Sequence, residues 1–460
     1  MIEKIDRNVL QIYNRLASAG FEVYFVGGCV RNLLLGTEPK DWDLTTNALP
    51  EEVQAVFPDS FYDNLFGTVG VPLETPETKH PGIVEITTYR TESSYENHRK
   101  PVSVTWGKTI AEDLSRRDFT INAIALSINK NSKDGYDMID PFEGKKDVEL
   151  KTIRAVGDPN ERFKEDALRL MRAIRFATQL SFSIEDKTMK ALTNDAALIQ
   201  HISGERIRDE LLRILSSEHA YEGIMLLDAT KLLDLVLPEL TTGKDVSQTR
   251  PGRHHTTDVF THNVLSLKHC PSTDPIVRLA TLLHDSGKPV VKSTDENGYV
   301  IFYNHEVAGA RIMREVADRL RLSRKQKEKT VTLIRWHMFT VDEHITDSAI
   351  RRFIRRVGVD NVKDMMDLRI GDRLGGGTQV AESWRLKKFK ERVTSELNPP
   401  FSINDLAIDG NDIMTELNIT PGKQIGIILK TLFEEVDEDL SKNTKAYLIP
   451  RIHEISKTLE

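Results

Sequence analysis

A strand, a glycine turn and a second strand with two aspartates lie close together near the start of the chain, and they constrain its fold more than any other feature. The apolar residues 23–26 predict a strand that runs into a tight turn at Gly27 and Gly28. A short helix is expected next, followed by a strand that carries Asp41 and Asp43. Such alternation of short elements is typical of a domain that mixes α and β structure.

The residue types in this stretch indicate phosphate chemistry. Backbone amides at a glycine turn that opens a helix bind anions, and Arg31 adds a fixed positive charge there. Because Asp41 and Asp43 are two positions apart on a strand, their side chains point to the same face. Two such carboxylates beside a phosphate site match what two divalent cations need for phosphoryl or nucleotidyl transfer. Each half alone is a common structural feature, whereas the two in this order indicate a nucleotidyltransferase.

Length and composition are those of a globular protein with several domains. With 460 residues the chain is too long for one core and suggests roughly three domains. The net charge of −7 argues against an indiscriminate nucleic-acid binder, although a local basic face is enough to bind RNA. No apolar run approaches the roughly 18 residues of a membrane span, and the first residues do not resemble a signal peptide. Only Cys29 and Cys270 are present, so no disulfide framework is expected and a cytoplasmic location is predicted.

The pattern of predicted elements changes near residue 160. Residues 20–150 mix short strands, including one over residues 121–126, with turns and short helices. Long amphipathic helices follow, so we predict an α+β head and then a largely all-α remainder. The predicted domains are a nucleotidyltransferase head at 1–150, a helical neck and body at 151–250, a further helical domain at 251–380 and a helical tail at 381–460.

A second polar string, residues 115–123, leads directly into an apolar segment. Its Arg117, Asp118 and Asn122 are expected to lie at one edge of the head. An arginine can clamp triphosphate oxygens with two hydrogen bonds, while Asp118 and Asn122 can order the loop or bind a ribose hydroxyl. The simpler interpretation is a capped strand or helix start with surface arginines.

A third string, residues 165–175, has the spacing of one amphipathic helix. Its apolar side chains form a stripe, and its arginines fan over the opposite face. On such a helix Glu165 and Arg169 form an ordinary salt bridge between positions i and i+4. The functional alternative is that Asp166 accepts and Arg169 donates hydrogen bonds to the edge of a nucleobase, so that the protein replaces a template strand.

These strings and two further ones occur in an order that resembles a known family. They are similar to the successive motifs of the class II CCA-adding tRNA nucleotidyltransferases of the bacterial type, over roughly residues 20–216. The matching motifs are Gly27-Gly28-x-Val30-Arg31, Asp41-x-Asp43, Arg116-Arg117-Asp118-Phe119-Thr120-x-Asn122-Ala123, Asp140-Pro141-x-x-Gly144, Arg162-Phe163-x-Glu165-Asp166-x-x-Arg169 and residues 204–211. The resemblance implies a polymerase-β-like head followed by a helical neck, body and tail. It also implies addition of C, C and A to tRNA 3′ ends without a nucleic-acid template.

The resemblance further implies roles for individual residues. Asp41 and Asp43 are the catalytic residues and hold Mg²⁺, and Glu85 is a further candidate carboxylate. Asp166 and Arg169 read the base. The full set of nucleotide-binding candidates is Gly28, Arg31, Arg117, Asp118, Asn122, Asp166, Arg169, Arg172 and Arg175.

Related activities share these head motifs. Bacterial poly(A) polymerases usually carry extra basic sequence at their ends, which this acidic chain lacks. Enzymes that add only CC have a shortened loop before the Arg-Arg-Asp string, whereas here that interval is long and contains residues 89–99. Enzymes that add only A are not distinguished by these motifs. An A-adding enzyme and a poly(A) polymerase therefore stay open as alternatives.

A separate set of histidines and aspartates lies beyond residue 255. His284 and Asp285 end an apolar helix, and adjacent His and Asp side chains can bind one cation together with ligands from other helices. Their order over residues 255–375 resembles the HD-domain metal phosphohydrolases, which implies a divalent cation and a phosphatase or 2′,3′-cyclic phosphodiesterase activity. The predicted ligands are His262, His284, Asp285 and Asp372, with His305 and His337 as further candidates.

We therefore predict a CCA-adding enzyme with an appended HD phosphohydrolase domain at residues 251–380, whose cation the sequence does not identify. The expected partners are the tRNA 3′ end, CTP and ATP, with no membrane. The main alternative from another class is an HD hydrolase whose head only binds RNA, and the complete head motifs argue against it. Basic runs at 351–356 and 385–390 are either RNA contacts or solvated helix faces. The oligomeric state stays open.

Overall fold

The structure, a computed structural model, describes residues 2–62, 67–73, 82–96, 100–248, 257–342, 344–397 and 402–459. The chain forms two compact units. The first unit contains Met1–Thr241 and Arg319–Leu322, and the second contains Thr242–Asp318 and Ser323–Glu460. Residues 97–99, which belong to the long interval before the Arg-Arg-Asp string, lie outside the described residues.

A mixed seven-stranded sheet is the framework of the first unit. The strands of this unit are β1 (Val23–Val26), β2 (Trp42–Thr46), β3 (Phe61–Tyr62), β4 (Thr68–Pro72), β5 (Ile83–Thr88), β6 (Arg90–Glu96), β7 (Lys100–Trp106), β8 (Ala125–Ile128), β9 (Tyr136–Ile139), β10 (Thr152–Ile153) and β11 (Ser183–Ile184). The sheet order is β3-β4-β5-β2-β1-β8-β9, while β6 and β7 form a separate hairpin. At the centre of the sheet, β2 runs parallel to β5 and antiparallel to β1.

The parallel pair of β2 and β5 determines which carboxylates share a face. Asp43 lies directly opposite Glu85 in the register. The next pair along, Leu44 and Ile86, points to the other face and is fully buried. The alternation of the two strands therefore places the acidic side chains on one side of the sheet and the apolar ones in the core.

Twelve helices complete the first unit among the described residues. They are α1 (Arg7–Ser18), α2 (Gly28–Leu34), α3 (Pro50–Val56), α4 (Ile110–Ser115), α5 (Gly144–Glu149), α6 (Pro159–Glu165), α7 (Leu168–Leu180), α8 (Asp186–Asn194), α9 (Gly204–Leu215), α10 (Ala220–Ala229), α11 (Leu233–Val236) and α12 (Pro238–Thr241). Tyr13 of α1 stacks on Phe25 of β1 with ring centroids 5.2 Å apart, and Phe25 meets Trp42 of β2 edge-on. This aromatic contact fixes the two strands that flank the glycine turn.

The Asp140-x-x-x-Gly144 part of the sequence pattern has a structural role in the fold. Asp140 accepts hydrogen bonds from the backbone amides of Gly144 at 2.7 Å and Lys145 at 2.9 Å, and so caps α5. A Cβ on Gly144 would lie 2.1 Å from the carbonyl oxygen of Thr120. Only glycine lets α5 approach the turn that carries Asn122 this closely.

The second unit is almost entirely helical. Its elements are α13 (Val259–His269), α14 (Pro275–Leu283), α15 (Lys288–Val291), β12 (Ser293–Thr294), β13 (Val300–Ile301), α16 (His305–Arg319), α17 (Arg324–Trp336), α18 (Asp347–Val357), α19 (Val362–Gly375), α20 (Trp384–Ser395), α21 (Gly410–Leu417), α22 (Lys423–Glu438) and α23 (Lys445–Leu459). Helix α13 packs closely against α19 at Gly375, where a Cβ would lie only 2.3 Å from Oγ of Ser266. This close packing brings the side chains of α13 and α19 into one cluster.

The predicted fold class, an α+β head followed by largely helical parts, is confirmed. The expected strand over residues 121–126 is wrong at its start, because Thr120–Asn122 form a turn of 3-10 helix and β8 begins at Ala125. On α18, Nε of Arg351 donates to Asp437 at 2.9 Å, so this arginine forms an internal ion pair and not a solvated face. Among the residues that the structure describes, none of the helices is both long enough and apolar enough to span a bilayer.

Candidate functional site

A cavity of about 750 Å³ in the first unit contains nearly all of the head residues singled out from the sequence. Eight arginines and four carboxylates line it. The arginines are Arg31, Arg90, Arg116, Arg117, Arg169, Arg172, Arg175 and Arg206, and the carboxylates are Asp43, Glu85, Asp118 and Asp166. Gly28 and Asn122 also line the cavity. The excess of positive charge favours a polyanionic ligand.

The acidic wall of this cavity is formed by Asp43 and Glu85. The expected strand position of Asp41 is wrong, because β2 begins at Trp42; Asp41 is exposed just before this strand and is not part of the lining. Burial, opposed by Arg117 and reinforced by Glu85 and Asp41, raises the pKa of Asp43 to about 6. Carboxylates that repel one another in a partly buried site fit divalent cations, since bound cations relieve the repulsion.

Gly27 lies between the acidic wall and the arginines. Its φ of +74° is a conformation that side chains rarely adopt. A Cβ there would lie 3.1 Å from Oδ2 of Asp43 and 3.3 Å from Nη1 of Arg117. Glycine thus leaves open the space between a carboxylate and a guanidinium, and α2 begins at the next residue, Gly28.

Two arginines near the turn, Arg31 and Arg117, are only partly exposed to solvent. Nη1 of Arg31 donates to Asn122 at 2.7 Å, but its buried Nε has no hydrogen-bond partner among the described residues. The same holds for the buried Nε of Arg117 within the described part of the chain. Burial and the nearby Arg175 lower the pKa of Arg31 to about 10. Nη2 of Arg117 pairs with Asp113 at 3.0 Å, so the protein holds each guanidinium in place, and its planar set of N–H donors fits the oxygens of a bound phosphate.

Asp118 and Asn122, which the sequence offered either for loop order or for ribose binding, order the loop in this structure. Asp118 accepts hydrogen bonds from Nε of Arg172 at 2.7 Å and from the backbone amide of Phe119 at 2.8 Å. Asn122 donates to the same carboxylate at 3.3 Å. Burial opposes ionisation of Asp118, but Arg172 and Arg169 lower its pKa to about 2.

The proposed base-reading residues lie at a break between two helices. Helix α6 ends at Glu165, Asp166 has an extended backbone (φ −138°, ψ 105°), and α7 begins at Leu168. The expected single helix over residues 165–175 is therefore wrong. Asp166 accepts a hydrogen bond from the amide of Leu168 at 3.1 Å, which competes with continuation of the helix. The ion pair between Arg169 and Glu165 is nevertheless present.

Asp166 and Arg169, the two proposed base-reading residues, both have other partners in the structure. A carboxylate oxygen of Asp166 lies 2.8 Å from Nη2 of Arg206, which comes from α9. Arg169 donates to the carbonyl oxygens of Arg116 and Arg162, both at 3.0 Å. Arg206 is 40 residues from Asp166 in the chain, so its part in this site gave no local sequence signal.

Phe176 is a second residue that the sequence did not single out. The guanidinium carbon of Arg175 lies 4.0 Å from the centre of its ring, and those of Arg31 and Arg172 lie 5.4 Å away. Arg175 also donates to Glu210 at 2.6 Å. In the sequence, Phe176 resembles any apolar residue on a helix. Its position under three arginines is visible only in the structure.

The second unit brings all the predicted HD ligands and both further candidates into one cluster. The six residues come from the helices α13, α14, α16, α17 and α19 or directly follow them. Asp372 is 15% exposed in its side chain, and the other five are buried. The members are His262, His284, Asp285, His305, His337 and Asp372.

Asp285 divides this cluster into two groups. Its Oδ2 lies 3.4 Å from Nε2 of both His262 and His284. Its Oδ1 lies 3.2 Å from Nε2 of His305 and 3.7 Å from Nε2 of His337. Ligand atoms around one tetrahedral cation at typical bond lengths are about 3.3 Å apart. Each group therefore has the spacing of a metal-ligand shell.

Main-chain carbonyls orient three of the histidine rings. Nδ1 of His284, His305 and His337 each lies within 2.8 Å of the carbonyl oxygen three residues earlier. A hydrogen on Nδ1 that donates to this oxygen leaves the Nε2 lone pair for a cation. Asp372, with Oδ1 3.3 Å from Nε2 of His262, completes the first group.

Three protein families match the chain in sequence order. Residues 23–154 match the Poly A polymerase head domain, residues 181–243 match the probable RNA and SrmB-binding site of polymerase A, and residues 265–369 match the HD domain. Nucleotidyltransferase and HD domains generally use divalent metals. The mixed sheet with its acidic face and arginine-lined cavity, together with these matches, defines the class of the protein as a nucleotidyltransferase.

The chain belongs to the CCA-adding enzyme family. It is 31% identical over 457 residues to the CCA-adding enzyme of Limosilactobacillus reuteri (strain DSM 20016), covering 98% of this chain and 96% of that one. It is 44% identical over 227 residues to the enzyme of Geobacillus thermodenitrificans (strain NG80-2), a match that spans about half of each protein (49% and 53%). The crystal structure of the Bacillus stearothermophilus CCA-adding enzyme in complex with CTP is similar over 99% of both chains, with a TM-score of 0.72 and 25% identity.

Proposed function

We propose that this chain adds C, C and A to the 3′ end of tRNA from CTP and ATP, without a nucleic-acid template. One observation carries the proposal: the carboxylates Asp43 and Glu85 and the pair Asp166 and Arg169 line the same cavity, together with the arginines. A nucleotide bound there has its phosphates, its reacting atoms and its base within reach of separate groups of the protein. Membership of the CCA-adding enzyme family supports the same function.

The acidic residues have the role of cation ligands in this proposal. Asp41 and Asp43 hold Mg²⁺, and Glu85, opposite Asp43 in the strand register, is the third carboxylate. Bound there, Mg²⁺ supplies charge stabilisation to the attacking 3′-hydroxyl and to the pyrophosphate leaving group. Burial, with Glu85 and Asp41 nearby, raises the pKa of Asp43 to about 6, and the charge of a divalent cation bound at these carboxylates would offset that effect.

The arginines bind and orient the triphosphate. Arg31 and Arg117 do so through their partly exposed guanidinium groups, whose buried Nε atoms lack partners among the described residues. Asp118 holds Arg172 in place through a hydrogen bond of 2.7 Å. Gly28 allows the phosphates to approach the backbone at the start of α2.

Base selection follows from the donor and acceptor pattern of Asp166 and Arg169. Cytosine and adenine both present an amino group beside an unprotonated ring nitrogen, whereas uracil and guanine present a carbonyl beside a ring N–H. A carboxylate that accepts from the amino group and a guanidinium that donates to the ring nitrogen therefore distinguish C and A from U and G. In this proposal the base displaces Arg206 as the partner of Asp166.

The test uses tRNA transcripts that end before CCA, after C and after CC, each incubated with labelled CTP or ATP and Mg²⁺. A CCA-adding enzyme extends the first two with CTP and the third with ATP. If the only reaction is addition of ATP to the transcript that ends in CC, the protein is an A-adding enzyme. Long A tails on any transcript identify a poly(A) polymerase. No incorporation on any transcript contradicts the proposal and favours an HD hydrolase whose head only binds RNA.

A second candidate function, metal-dependent hydrolysis of phosphoesters, is favoured by the cluster around Asp285. We infer two cation positions that share this carboxylate, one with His262, His284 and Asp372 and one with His305 and His337. The test is the metal content of the purified protein and its hydrolysis of 2′,3′-cyclic nucleotides with Mg²⁺, Mn²⁺, Ni²⁺ or Co²⁺. The four-domain division and the cytoplasmic location stay predictions.

A further inference from the structure

The second unit contains a cavity of about 410 Å³ that opens onto the HD cluster. Asp285, His305, His337 and Asp372 lie on its inner side. A volume of this size is at the lower end of those that hold drug-sized or nucleotide-sized ligands. The groups that line the rest of the cavity therefore bear on which phosphoester enters it.

Gln248 presents a buried hydrogen-bond donor at this cavity. It is 6% exposed, and its Oε1 accepts a hydrogen bond from Nζ of Lys288. Because a lysine ammonium only donates, the amide must turn its oxygen to Lys288 and keep its NH₂ group for another partner. That Nε2 is buried and has no hydrogen-bond partner in the described part of the chain. An acceptor that enters the cavity is the missing partner.

Lys288 and Arg369 add two positive charges to the same lining. Nζ of Lys288 lies 2.5 Å from Oδ2 of Asp285, and Nη1 of Arg369 lies 3.1 Å from Oδ2 of Asp372. Within the described residues the buried Nε of Arg369 also lacks a partner. Each cation is therefore anchored to one of the carboxylates of the metal cluster.

The outer part of the cavity is formed by apolar and aromatic residues. Phe302 and Tyr303 follow β13, and Met338 follows His337. Tyr303 is 71% exposed and Met338 is 59% exposed, so both offer large surfaces that the protein itself leaves uncovered. The planar ring of Tyr303 can stack against any nucleobase, and the thioether of Met338 can pack against the same base.

We propose that Gln248, Lys288 and Arg369 form an anion cradle that holds the phosphoryl group of a nucleotide at the HD cluster, with its base on Tyr303 and Met338. This inference rests on the proposed phosphohydrolase function and names its substrate class and the residues that determine it. Gln248 and Arg369 position the substrate and do not supply the chemistry. The nucleotide is either free or the 3′-terminal residue of an RNA.

The first experiment measures binding of inorganic phosphate to the full chain loaded with Mn²⁺, by isothermal titration calorimetry. Gln248→Leu removes the donor, and Gln248→Glu keeps an acceptor for Lys288 but replaces the donor by a negative charge. Both variants are expected to weaken phosphate binding by about 10-fold or more, the Glu variant the most. Gln424→Leu, an exposed site on α22, is the control.

Mn²⁺ content and hydrolysis are measured on the same samples, which separates the inference from the function on which it rests. Wild-type protein that binds Mn²⁺ but hydrolyses no phosphoester contradicts the hydrolase, while the phosphate affinities still decide the cradle. Equal phosphate affinity in wild type and both Gln248 variants overturns the cradle. So does wild-type protein that binds no phosphate. Arg369→Lys should also weaken phosphate binding, with Mn²⁺ content retained.

The second experiment tests the base. Tyr303→Ala should weaken binding of adenosine 3′-phosphorothioate by about 10-fold while leaving inorganic phosphate unchanged, whereas Tyr299→Ala, outside the cavity, should change neither. Equal losses for both ligands, or no loss for the nucleotide, contradict the base site. A short RNA with a 3′-phosphate, compared with the free nucleotide, identifies the source: tighter binding of the RNA assigns the site to RNA ends, and equal or weaker binding assigns it to free nucleotides.

Discussion

A single substitution at Asp43 can separate nucleotide addition from tRNA binding. Asp43→Asn keeps the shape of the side chain but removes the charge that would hold Mg²⁺ opposite Glu85. We expect incorporation of both CTP and ATP to fall by about 10³-fold, since both additions depend on the same carboxylates. Labelled-nucleotide incorporation measures the loss, and a filter-binding assay should show nearly unchanged tRNA affinity.

The matched control is Asp134→Asn, an exposed aspartate in the loop before β9. It removes the same charge from the same unit without touching the cavity, and incorporation should be unchanged. Substantial CTP addition by Asp43→Asn would show that Asp43 does not bind the catalytic cation.

Variants of Asp166 and Arg206 distinguish a role of Asp166 in base reading from a purely structural role. Each variant removes the ion pair between the two residues, but only the Asp166 variant removes the carboxylate. Asp166→Asn replaces an acceptor oxygen by a donor, so the preference for CTP over UTP should drop by about 10-fold or more. Arg206→Gln removes the same ion pair but leaves the carboxylate, so the preference should persist even if the rate falls. Incorporation measured with all four nucleotides checks both variants. If the two variants lose rate equally and keep their preference, the pair is structural.

At the scale of secondary-structure elements, the Asp118–Arg172 contact joins the loop after α4 to α7 and makes a prediction about acid stability. The folded pKa of Asp118 is about 2, below its unfolded value of about 3.9, so the contact stabilises the fold above the unfolded pKa. This stabilisation, about 2–3 kcal/mol at neutral pH, is lost as the pH falls through the folded pKa. Urea unfolding should therefore show a large stability difference between wild type and Asp118→Asn at pH 7 and a small one near pH 2. A difference that is independent of pH would refute the contribution of this carboxylate.

Helix α5 provides a second test at this scale. A Cβ on Gly144 would lie 2.1 Å from the carbonyl oxygen of Thr120. Because this oxygen belongs to the backbone, a side-chain rotation cannot relieve the clash. Gly144→Ala should destabilise the protein by about 1–3 kcal/mol and, by shifting the turn that carries Asn122, slow nucleotide addition. Gly426→Ala on α22, where nothing lies within 4 Å, is the matched control and should be neutral or slightly stabilising. Thermal unfolding measures both variants.

Elements formed by neighbouring residues were predictable from the sequence, and those determined by distant partners were not. The strand at 23–26, the glycine turn and the strand with Asp43 follow from local patterns, and the structure contains them. The ion pair of Asp166 with Arg206 does not, because the two residues are 40 positions apart in the chain. Glu85 faces Asp43 only through the pairing of β2 with β5, which no local pattern specifies.

At the scale of the whole molecule, the chain combines two chemical centres that belong to different compact units. The arginine-lined cavity is built entirely from residues of the first unit, and the HD cluster entirely from residues of the second. The charge balance of the two sites also differs: the head cavity has far more arginines than carboxylates, while the HD cluster has histidines around one shared aspartate. Two such sites are expected to operate on separate phosphate reactions.

The last prediction tests this independence with paired variants. His284→Ala combined with Asp285→Ala should eliminate the divalent metal bound at the HD cluster and the hydrolysis of 2′,3′-cyclic nucleotides, because Asp285 contributes to both ligand groups. His305→Ala should remove only about half of the metal, since His305 belongs to one group. CCA addition should survive in all of these variants and disappear in Asp43→Asn, which in turn should retain hydrolysis. Elemental analysis, the two activity assays and thermal unfolding are measured on each variant. Loss of nucleotide addition in the double variant, with its thermal unfolding unchanged, would show that the two centres are coupled.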